Sequence, residues 1–218
     1  MPLLLDRGDA REIMFHYDSL IDEGNDSFRD PAPLRVHMDK WDGEPFLSLL
    51  SLGGWERVLE LGVGTGRLAA RVAPRCGQLC GIDLSPRTVE RARENLAAYD
   101  HISLVCGNFF DHPFTETYDL IYTSLTLFHI SDKLAAWRRI ADLLREGGRV
   151  VVSLDKSREP YIDMGDRRLR VFPDTPEAVR AAMVAVGLVQ TEEIETEYAY
   201  LLAAVRPAQG DGMQKGEL

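Results

Sequence analysis

The sequence predicts an α/β protein, a three-layer αβα sandwich around a mostly parallel sheet. From Arg57 onward, short apolar runs alternate with amphipathic stretches, as is typical of β-α repeats around a buried sheet. We predict strands at 57–61, 78–83, 102–106, 118–122 and 149–154. Two further strands, at 188–194 and 198–206, are separated by three residues, too few for a parallel crossover. This last pair is therefore predicted to be antiparallel.

Capping residues mark the predicted helices. Ser85 followed by Pro86 predicts one helix start, and Ser131 is predicted to cap a helix over 132–144 that Gly147 and Gly148 close. Thr175 before Pro176 predicts a third helix, which ends at Gly187.

The predicted organisation is one domain with four parts. Residues 1–52 carry helical patterns at 11–20 and 34–50 around a loop with Gly and Pro, and they are interpreted as an N-terminal helical cap. Residues 53–206 form the core, and the irregular stretch 156–173 is a candidate lid. Residues 207–218, with three glycines, are predicted to be a disordered tail.

Composition narrows the class of partner. The chain has 218 residues and a formal net charge of -10, whereas a nucleic-acid binder needs concentrated positive potential. No apolar run approaches the roughly 20 residues that span a bilayer, and Asp6 interrupts the apolar start. We therefore expect a cytoplasmic protein, monomeric or homodimeric, that binds neither nucleic acid nor membrane. The three cysteines are expected to be reduced, with no metal site.

The most informative segment is a strand followed by alternating glycines, Gly62, Gly64 and Gly66. Glycine at such a turn lets backbone N–H groups approach a ligand, and a following helix start favours an anionic group. Asp83 ends the second strand about 20 residues later, where a carboxylate can accept hydrogen bonds from a ribose diol. Glu60 just before the turn would repel a pyrophosphate, which argues against a dinucleotide.

These motifs resemble those of the class I S-adenosylmethionine-dependent methyltransferases, from Arg57 to about Arg206. Glu60 and the three glycines match the family's E/D-x-G-x-G-x-G segment. The resemblance implies a sheet of strand order 3-2-1-4-5-7-6 with the last strand antiparallel, and S-adenosylmethionine as the cofactor. It implies that the cofactor contacts a set of ten residues, namely Tyr17, Glu60, Gly62, Gly64, Gly66, Asp83, Leu84, Asn108, Phe109 and Thr123.

The residues of catalysis are less defined, since methyl transfer is an in-line displacement that alignment and desolvation can accelerate without a base. His129 could deprotonate an acceptor hydroxyl, or it could be a packed histidine capping the next helix. Tyr17 resembles a tyrosine that closes over the methionine end of the cofactor in small-molecule members, and a plain helix-face tyrosine is the alternative.

The acceptor pocket has several candidate residues. From the cap these are His37, Trp41 and Phe46, and from the segment after the fourth strand Phe128 and His129. Amphipathic packing of the cap explains Trp41 and Phe46 equally well. The lid arginines at 167, 168 and 170 either meet an anionic acceptor or form a solvated face.

The sequence therefore predicts a methyltransferase that acts on a small molecule. A protein or tRNA methyltransferase, and a cofactor-binding protein without transferase activity, remain as alternatives. The place after the fourth strand reads Thr123-Ser124-Leu125-Thr126 in place of the Asn or Asp-Pro-Pro-Tyr/Phe motif, which disfavours adenine-N6 and glutamine methylation.

Overall fold

The computed structural model describes residues 7–165 and 167–208 and has a seven-stranded sheet at its centre. The strands are β1 Arg57–Leu61, β2 Gln78–Asp83, β3 Ile102–Cys106, β4 Tyr118–Ser124, β5 Leu144–Asp155, β6 Tyr161–Asp163, β7 Arg168–Arg170, β8 Val189–Glu195 and β9 Ala199–Val205. The helices are α1 Arg7–Asp22, α2 Ala32–Asp42, α3 Glu44–Leu49, α4 Ala69–Val72, α5 Pro86–Asn95, α6 Lys133–Leu143 and α7 Pro176–Ala185.

The order of the main sheet is β3-β2-β1-β4-β5-β9-β8, and β6 pairs with β7 in a separate hairpin. Counting the main-sheet strands alone, this order is the predicted 3-2-1-4-5-7-6. The first five strands are parallel, whereas β9 runs antiparallel to both β5 and β8. The predicted fold class is therefore confirmed.

Successive side chains of each strand point to opposite faces of the sheet, and they form a hydrophobic core on each face. Leu59, Ile121 and Val150 pack on one face with side chains of α6 and α7, while Val58 and Leu120 pack on the other with α3 and α4. All five are at most 2% exposed. Because both faces are covered, ligands reach the sheet only at its strand ends.

Four local predictions are wrong in detail. The pattern at 34–50 forms two helices, because the chain turns at Gly43, where a Cβ would lie 2.4 Å from the Asp39 carbonyl oxygen. Asp132, not Ser131, caps α6, since its side chain accepts from the Ala135 N–H. That helix ends at Leu143, and Gly147 and Gly148 lie in β5, where they pair with Arg206.

The fourth correction concerns the helix after the glycine turn. Its α-helical part, α4, has only four residues, because Pro74 follows and the chain passes through a 3-10 turn into β2. The sequence predicted that the N-terminus of this helix would help to bind an anion, and a helix of four residues does not support that prediction.

The candidate lid at 156–173 contains the β6–β7 hairpin, so it is more regular than the sequence suggests. The tail predicted to be disordered lies outside the described residues from 209 onward. Cys76, Cys80 and Cys106 form no disulfide with one another.

Candidate functional site

A cavity of about 300 Å³ lies at the C-terminal ends of β1, β2 and β4, where α1 and α2 contribute to its wall. Apolar atoms form most of its exposed surface, and polar side chains are placed among them, as is typical of a small-molecule site. The polar and glycine residues of the lining are Tyr17, Ser27, Asp42, Glu60, Gly62, Gly64, Arg67, Asp83, Gly107, Asn108, Ser124, Thr126 and His129.

The three glycines of the turn have different roles. All three have positive φ angles, between 56° and 95°. A Cβ at Gly62 would lie 2.2 Å from the Thr126 hydroxyl oxygen, and one at Gly66 would lie 2.8 Å from a methyl carbon of Leu96. A Cβ at Gly64 would meet nothing within 4 Å. Close packing therefore explains the glycines at 62 and 66. Of the three, only Gly64 has open space where a side chain would lie.

Asp83 holds the turn from the end of β2. Its carboxylate accepts the Gly64 N–H at 3.0 Å and the Ser85 N–H at 3.1 Å. Burial raises the pKa of Asp83, and these backbone donors oppose that rise. Each carboxylate oxygen keeps acceptor capacity beyond these bonds, so Asp83 can also accept from a ligand hydroxyl.

Leu84, Asn108 and Phe109 line the same side of the cavity. The side-chain carbonyl oxygen of Asn108 accepts a hydrogen bond from the Phe110 N–H at 2.9 Å, and this bond orients the side chain. The Phe109 ring lies 5.3 Å from that of Phe110. This side of the cavity therefore offers a polar amide next to an aromatic surface.

Glu60, at the other end of the turn, is 3% exposed and accepts the Tyr122 hydroxyl at 2.6 Å. Burial raises the pKa of Glu60 to about 8, an effect that the Tyr122 hydrogen bond and the nearby Arg67 charge partly oppose. At neutral pH this side chain is therefore largely protonated in the folded protein without a ligand.

A buried ion pair, missed in the sequence, joins the cap to the glycine turn. Arg67 donates two hydrogen bonds to Asp42, at 2.9 and 2.5 Å, and the Ser124 hydroxyl donates to the same carboxylate at 2.6 Å. The Asp42 side chain is fully buried, and that of Arg67 is 14% exposed. An arginine directly after the last glycine, with an acidic residue at a helix end, was the available signal.

Tyr17 and His129 meet at the cavity wall. The Tyr17 hydroxyl lies 2.7 Å from His129 Nε2, and the two rings are edge to face. Burial, together with the charges of His16 and Lys133, lowers the pKa of His129 to about 3. The His129 imidazole is therefore neutral.

Two predicted cofactor contacts lie outside the cavity lining. Thr123 is 1% exposed and donates to the Leu61 carbonyl oxygen at 2.9 Å, so it links β4 to β1. Gly66 contacts Leu96, as its close packing requires. These two positions are therefore better explained by packing.

The predicted acceptor-pocket residues are divided in the same way. His129 lines the cavity, but His37 and Trp41 pack against Tyr198, with Trp41 4.6 Å from that ring. Phe128 lines a separate cavity of about 60 Å³ beneath the lid hairpin. The packing alternative for Trp41 is therefore the one that the structure favours.

The lid arginines already have partners. Arg167 forms an ion pair with Glu23, and Arg168 with Asp163. The Arg170 guanidinium lies over the Phe172 ring at 5.1 Å. A role in binding an anionic acceptor would require these contacts to change.

Contacts along α1 and the segment after it fix the cap on the cavity. Asp18 accepts the Ser85 hydroxyl at 2.6 Å, and the Ser27 hydroxyl lies 3.1 Å from that of Thr65 in the glycine turn. Asp26 accepts from Asn95 on α5. The cap is therefore attached to the glycine turn, to the loop after β2 and to α5.

Residues 7–165 and 167–208 contain neither a metal-binding cluster nor a membrane-spanning helix. Within them, no cluster of three or more His, Cys, Asp or Glu side chains could hold a metal ion. The helices of the same ranges are too short or too polar to cross a membrane.

Comparison with known proteins gives a consistent picture. Residues 59–152 match a family model described as a methyltransferase domain. Nodulation protein S of Rhizobium tropici is 32% identical over 127 residues, which are 52% of this chain and 53% of that protein. The chain thus spans about half the length of this curated relative.

Solved structures share the fold over most of the chain. Magnesium protoporphyrin IX methyltransferase from Synechocystis PCC 6803, with bound S-adenosylmethionine, superposes with a TM-score of 0.72 at 19% identity, covering 94% of this chain and 100% of that one. The [4+2]-cyclase SpnF gives 0.71 at 18% identity, covering 91% and 97%. At these identities the likeness concerns the fold.

Proposed function

We propose that this chain is a class I S-adenosylmethionine-dependent methyltransferase and that it methylates a small-molecule acceptor in the cavity beneath the cap. The observation that carries the proposal is the meeting of three features in one cavity. These are the open turn at Gly64, the partly buried Asp83 carboxylate and the amide and ring of Asn108 and Phe109.

The residues present fit the cofactor. Asp83 has acceptor capacity for a ribose diol, and the open backbone at Gly64 leaves room for the ligand beside the turn. Asn108 and Phe109 offer a hydrogen-bonding amide and a ring for an adenine. A cation placed nearby would favour the ionised form of Glu60, so this side chain suits the sulfonium better than it suits an anion.

When bound, the cofactor supplies an electrophilic methyl group on a sulfonium. The chain would orient the ligands and exclude water, with Ile13, Met38 and Leu127 providing apolar surface from the cap and from the turn after β4. A small acceptor is favoured because the cap contributes two helices to the wall and is joined to the glycine turn through Asp42 and Arg67. The net charge of -10 disfavours RNA.

The two alternatives, a protein or tRNA methyltransferase and a cofactor-binding protein that transfers no methyl group, are separable by experiment. SpnF, a cyclase with this fold, illustrates that a shared fold does not determine the reaction, so methyl transfer has to be tested separately from cofactor binding.

The test uses S-adenosylmethionine with a labelled methyl group. The full chain is incubated with it and with separated metabolite, protein and RNA fractions. We expect label in the metabolite fraction with the wild-type chain and none with Gly64→Val. Label in protein or RNA would support the first alternative, and cofactor binding without transfer to any fraction would support the second.

A further inference from the structure

The segment between α1 and α2, residues 23–31, reaches the apex of the glycine turn, and we call it the cap loop. The apex is Thr65, which has a glycine on each side and is 5% exposed. Its hydroxyl oxygen accepts the Phe28 N–H at 3.1 Å and lies 3.1 Å from the Ser27 hydroxyl oxygen. The one side chain at the apex therefore joins the glycine turn to the cap loop.

Asp26 is the charged group of this contact. Its side chain is 5% exposed and accepts hydrogen bonds from the Phe28 N–H at 3.1 Å, from Asn95 on α5 at 3.2 Å and from Arg91 on α5 at 3.2 Å. Burial raises the pKa of Asp26, but hydrogen bonds from Thr65, Asn95 and the other donors together lower it below its ordinary value. The Asp26 carboxylate is therefore ionised at neutral pH.

These partners determine what the Thr65 hydroxyl donates and accepts. An ionised carboxylate only accepts, so the Thr65 O–H donates to Asp26. The Thr65 oxygen keeps two lone pairs, which accept the Phe28 N–H and the Ser27 O–H. The hydroxyl thus makes three hydrogen bonds, all with the cap loop. If the cap loop moved away, Thr65 would lose all three at once.

The glycine turn depends on such contacts because its backbone has little rigidity of its own. Gly64 and Gly66 have φ angles of 56° and 95°, and glycine loses more conformational freedom on ordering than any other residue. From the other side, the Asn95 amide donates to the Thr65 carbonyl oxygen at 3.0 Å as well as to Asp26. A turn that is ordered in advance binds a ligand more tightly, because the cost of ordering it is not subtracted from the binding free energy.

We propose that Thr65 and Asp26 are positioning residues, which hold the glycine turn against the cap loop in the conformation that binds the cofactor. This inference rests on the proposed function. Cofactor affinity and the attachment of the cap loop are then coupled. Because such coupling is reciprocal, the bound cofactor in turn stabilises the attached cap loop.

The coupling concerns one end of the cofactor more than the other. The methionine end carries an ammonium and a carboxylate group, and the backbone C=O and N–H groups of a turn are suitable partners for them. The proposed partners of the adenosine end, Asp83, Asn108 and Phe109, lie at or just after the ends of β2 and β3 instead. Loosening the glycine turn should therefore weaken the binding of S-adenosylhomocysteine, which has both ends, more than that of adenosine, which has one.

The affinities of the full chain for S-adenosylhomocysteine, by calorimetry, and for adenosine, by ligand-observed NMR, test the proposal. Thr65→Val removes the hydroxyl and keeps the branched shape of the side chain. We expect at least a roughly fivefold loss of affinity for S-adenosylhomocysteine, the lower range of coupling between sites, and at most an about twofold change for adenosine. Thr65→Ser keeps the hydroxyl and should bind both compounds as the wild-type chain does.

A matched threonine separates this effect from general attachment of the cap. The Thr196 hydroxyl donates to the Lys40 carbonyl oxygen of α2 at 2.8 Å, so it attaches the cap at a place outside the cavity lining. Thr196→Val should leave the affinity for S-adenosylhomocysteine unchanged. If Thr65→Val does not fold, Asp26→Ala replaces it, because it removes the carboxylate from a loop outside the helices and strands. It should weaken S-adenosylhomocysteine more than adenosine in the same way.

Hydrogen exchange gives a readout that does not depend on affinity. The Phe28 N–H donates to both Asp26 and Thr65, so its exchange reports whether the cap loop is attached. With S-adenosylhomocysteine at saturation, exchange at residues 26–28 should slow in the wild-type chain and change little in Thr65→Val. Exchange at these residues that does not respond to the compound in the wild-type chain would contradict the coupling.

Three affinity results would overturn the inference: unchanged affinity for S-adenosylhomocysteine in a folded Thr65→Val or Asp26→Ala variant, equal losses for S-adenosylhomocysteine and adenosine, or the same loss in Thr196→Val. Equal losses would indicate a general disturbance of the cavity. If the wild-type chain binds neither compound, the cofactor assignment of the proposed function fails together with this inference. If the wild-type chain binds both and the variants disagree with the expectation, only this inference fails.

Discussion

The buried ion pair between Arg67 and Asp42 gives a sharp prediction, because a matched exposed pair lies one helical turn away. Arg71 and Asp39 join the same two segments at 2.6 Å, with side chains 32% and 42% exposed. The Asp42 side chain, in contrast, is fully buried, with 0% solvent exposure, and it accepts three hydrogen bonds. The two pairs thus differ mainly in burial.

Arg67→Met should destabilise the fold strongly, because it leaves the Asp42 carboxylate buried without its cation. Removing one partner of a buried pair costs about 3–5 kcal/mol of unfolding free energy. For a domain of this size, each kcal/mol corresponds to roughly 2–4 °C, so Tm should fall by roughly 6–20 °C. Arg71→Met should cost less than about 1 kcal/mol, as exposed pairs do.

The assay is urea denaturation followed by circular dichroism, with Asp42→Leu combined with Arg67→Met as a third variant. Removing both charges should recover at least half of the loss, since replacement of a whole buried pair by apolar groups is often neutral. Equal destabilisation by Arg67→Met and Arg71→Met, or a double variant as unstable as Arg67→Met, would refute the reasoning.

Three further predictions concern the cavity. Asp83→Ala should weaken binding of S-adenosylmethionine by about 1.5–3 kcal/mol, the value of hydrogen bonds to a charged group, and unchanged calorimetric affinity in a folded variant would remove Asp83 from the site. Glu60 keeps its proton in the folded state up to about pH 8 but loses it near its ordinary pKa of 4.5 when unfolded, so its contribution to stability should fall as pH rises between these values. Glu60→Gln should flatten that slope in urea titrations, and an unaltered slope would show that the folded-state pKa is not raised. Hydrogen exchange at 11–20 and 36–50 should slow when S-adenosylhomocysteine binds, and protection confined to the glycine turn and Asp83 would show that the cap does not respond.

The sheet was predictable because its signal is local and repeated. Three of the predicted strands, at 57–61, 78–83 and 102–106, have the predicted limits, since short runs rich in apolar residues and bounded by turn residues mark strands in the sequence. The cap of α5 at Ser85 and the start of α7 at Thr175 were also predicted, because Ser or Thr before Pro marks a helix start by itself.

Side-chain partners were harder to predict, because they depend on the packing of distant segments. Gly62 and Gly66 carry the same motif as Gly64, yet neighbours at Thr126 and Leu96 fill the space beside them. The bond between Asp42 and Arg67 joins residues 25 apart, and that between Tyr17 and His129 joins residues 112 apart. The position of Arg67 after the last glycine marks it as a candidate, but the local sequence around each of these residues does not identify the residue that it binds.

The central claim is that the open turn at Gly64 is part of a binding site for S-adenosylmethionine, and calorimetric titration of that compound tests it most directly. A valine at Gly64 would project into space that the protein leaves open, so Gly64→Val should abolish binding while the fold persists. Gly187→Val carries a similar backbone strain at φ 79° outside the cavity lining and serves as the control. We expect binding by the wild-type chain and by Gly187→Val but not by Gly64→Val. Near-normal affinity in a folded Gly64→Val variant would contradict it.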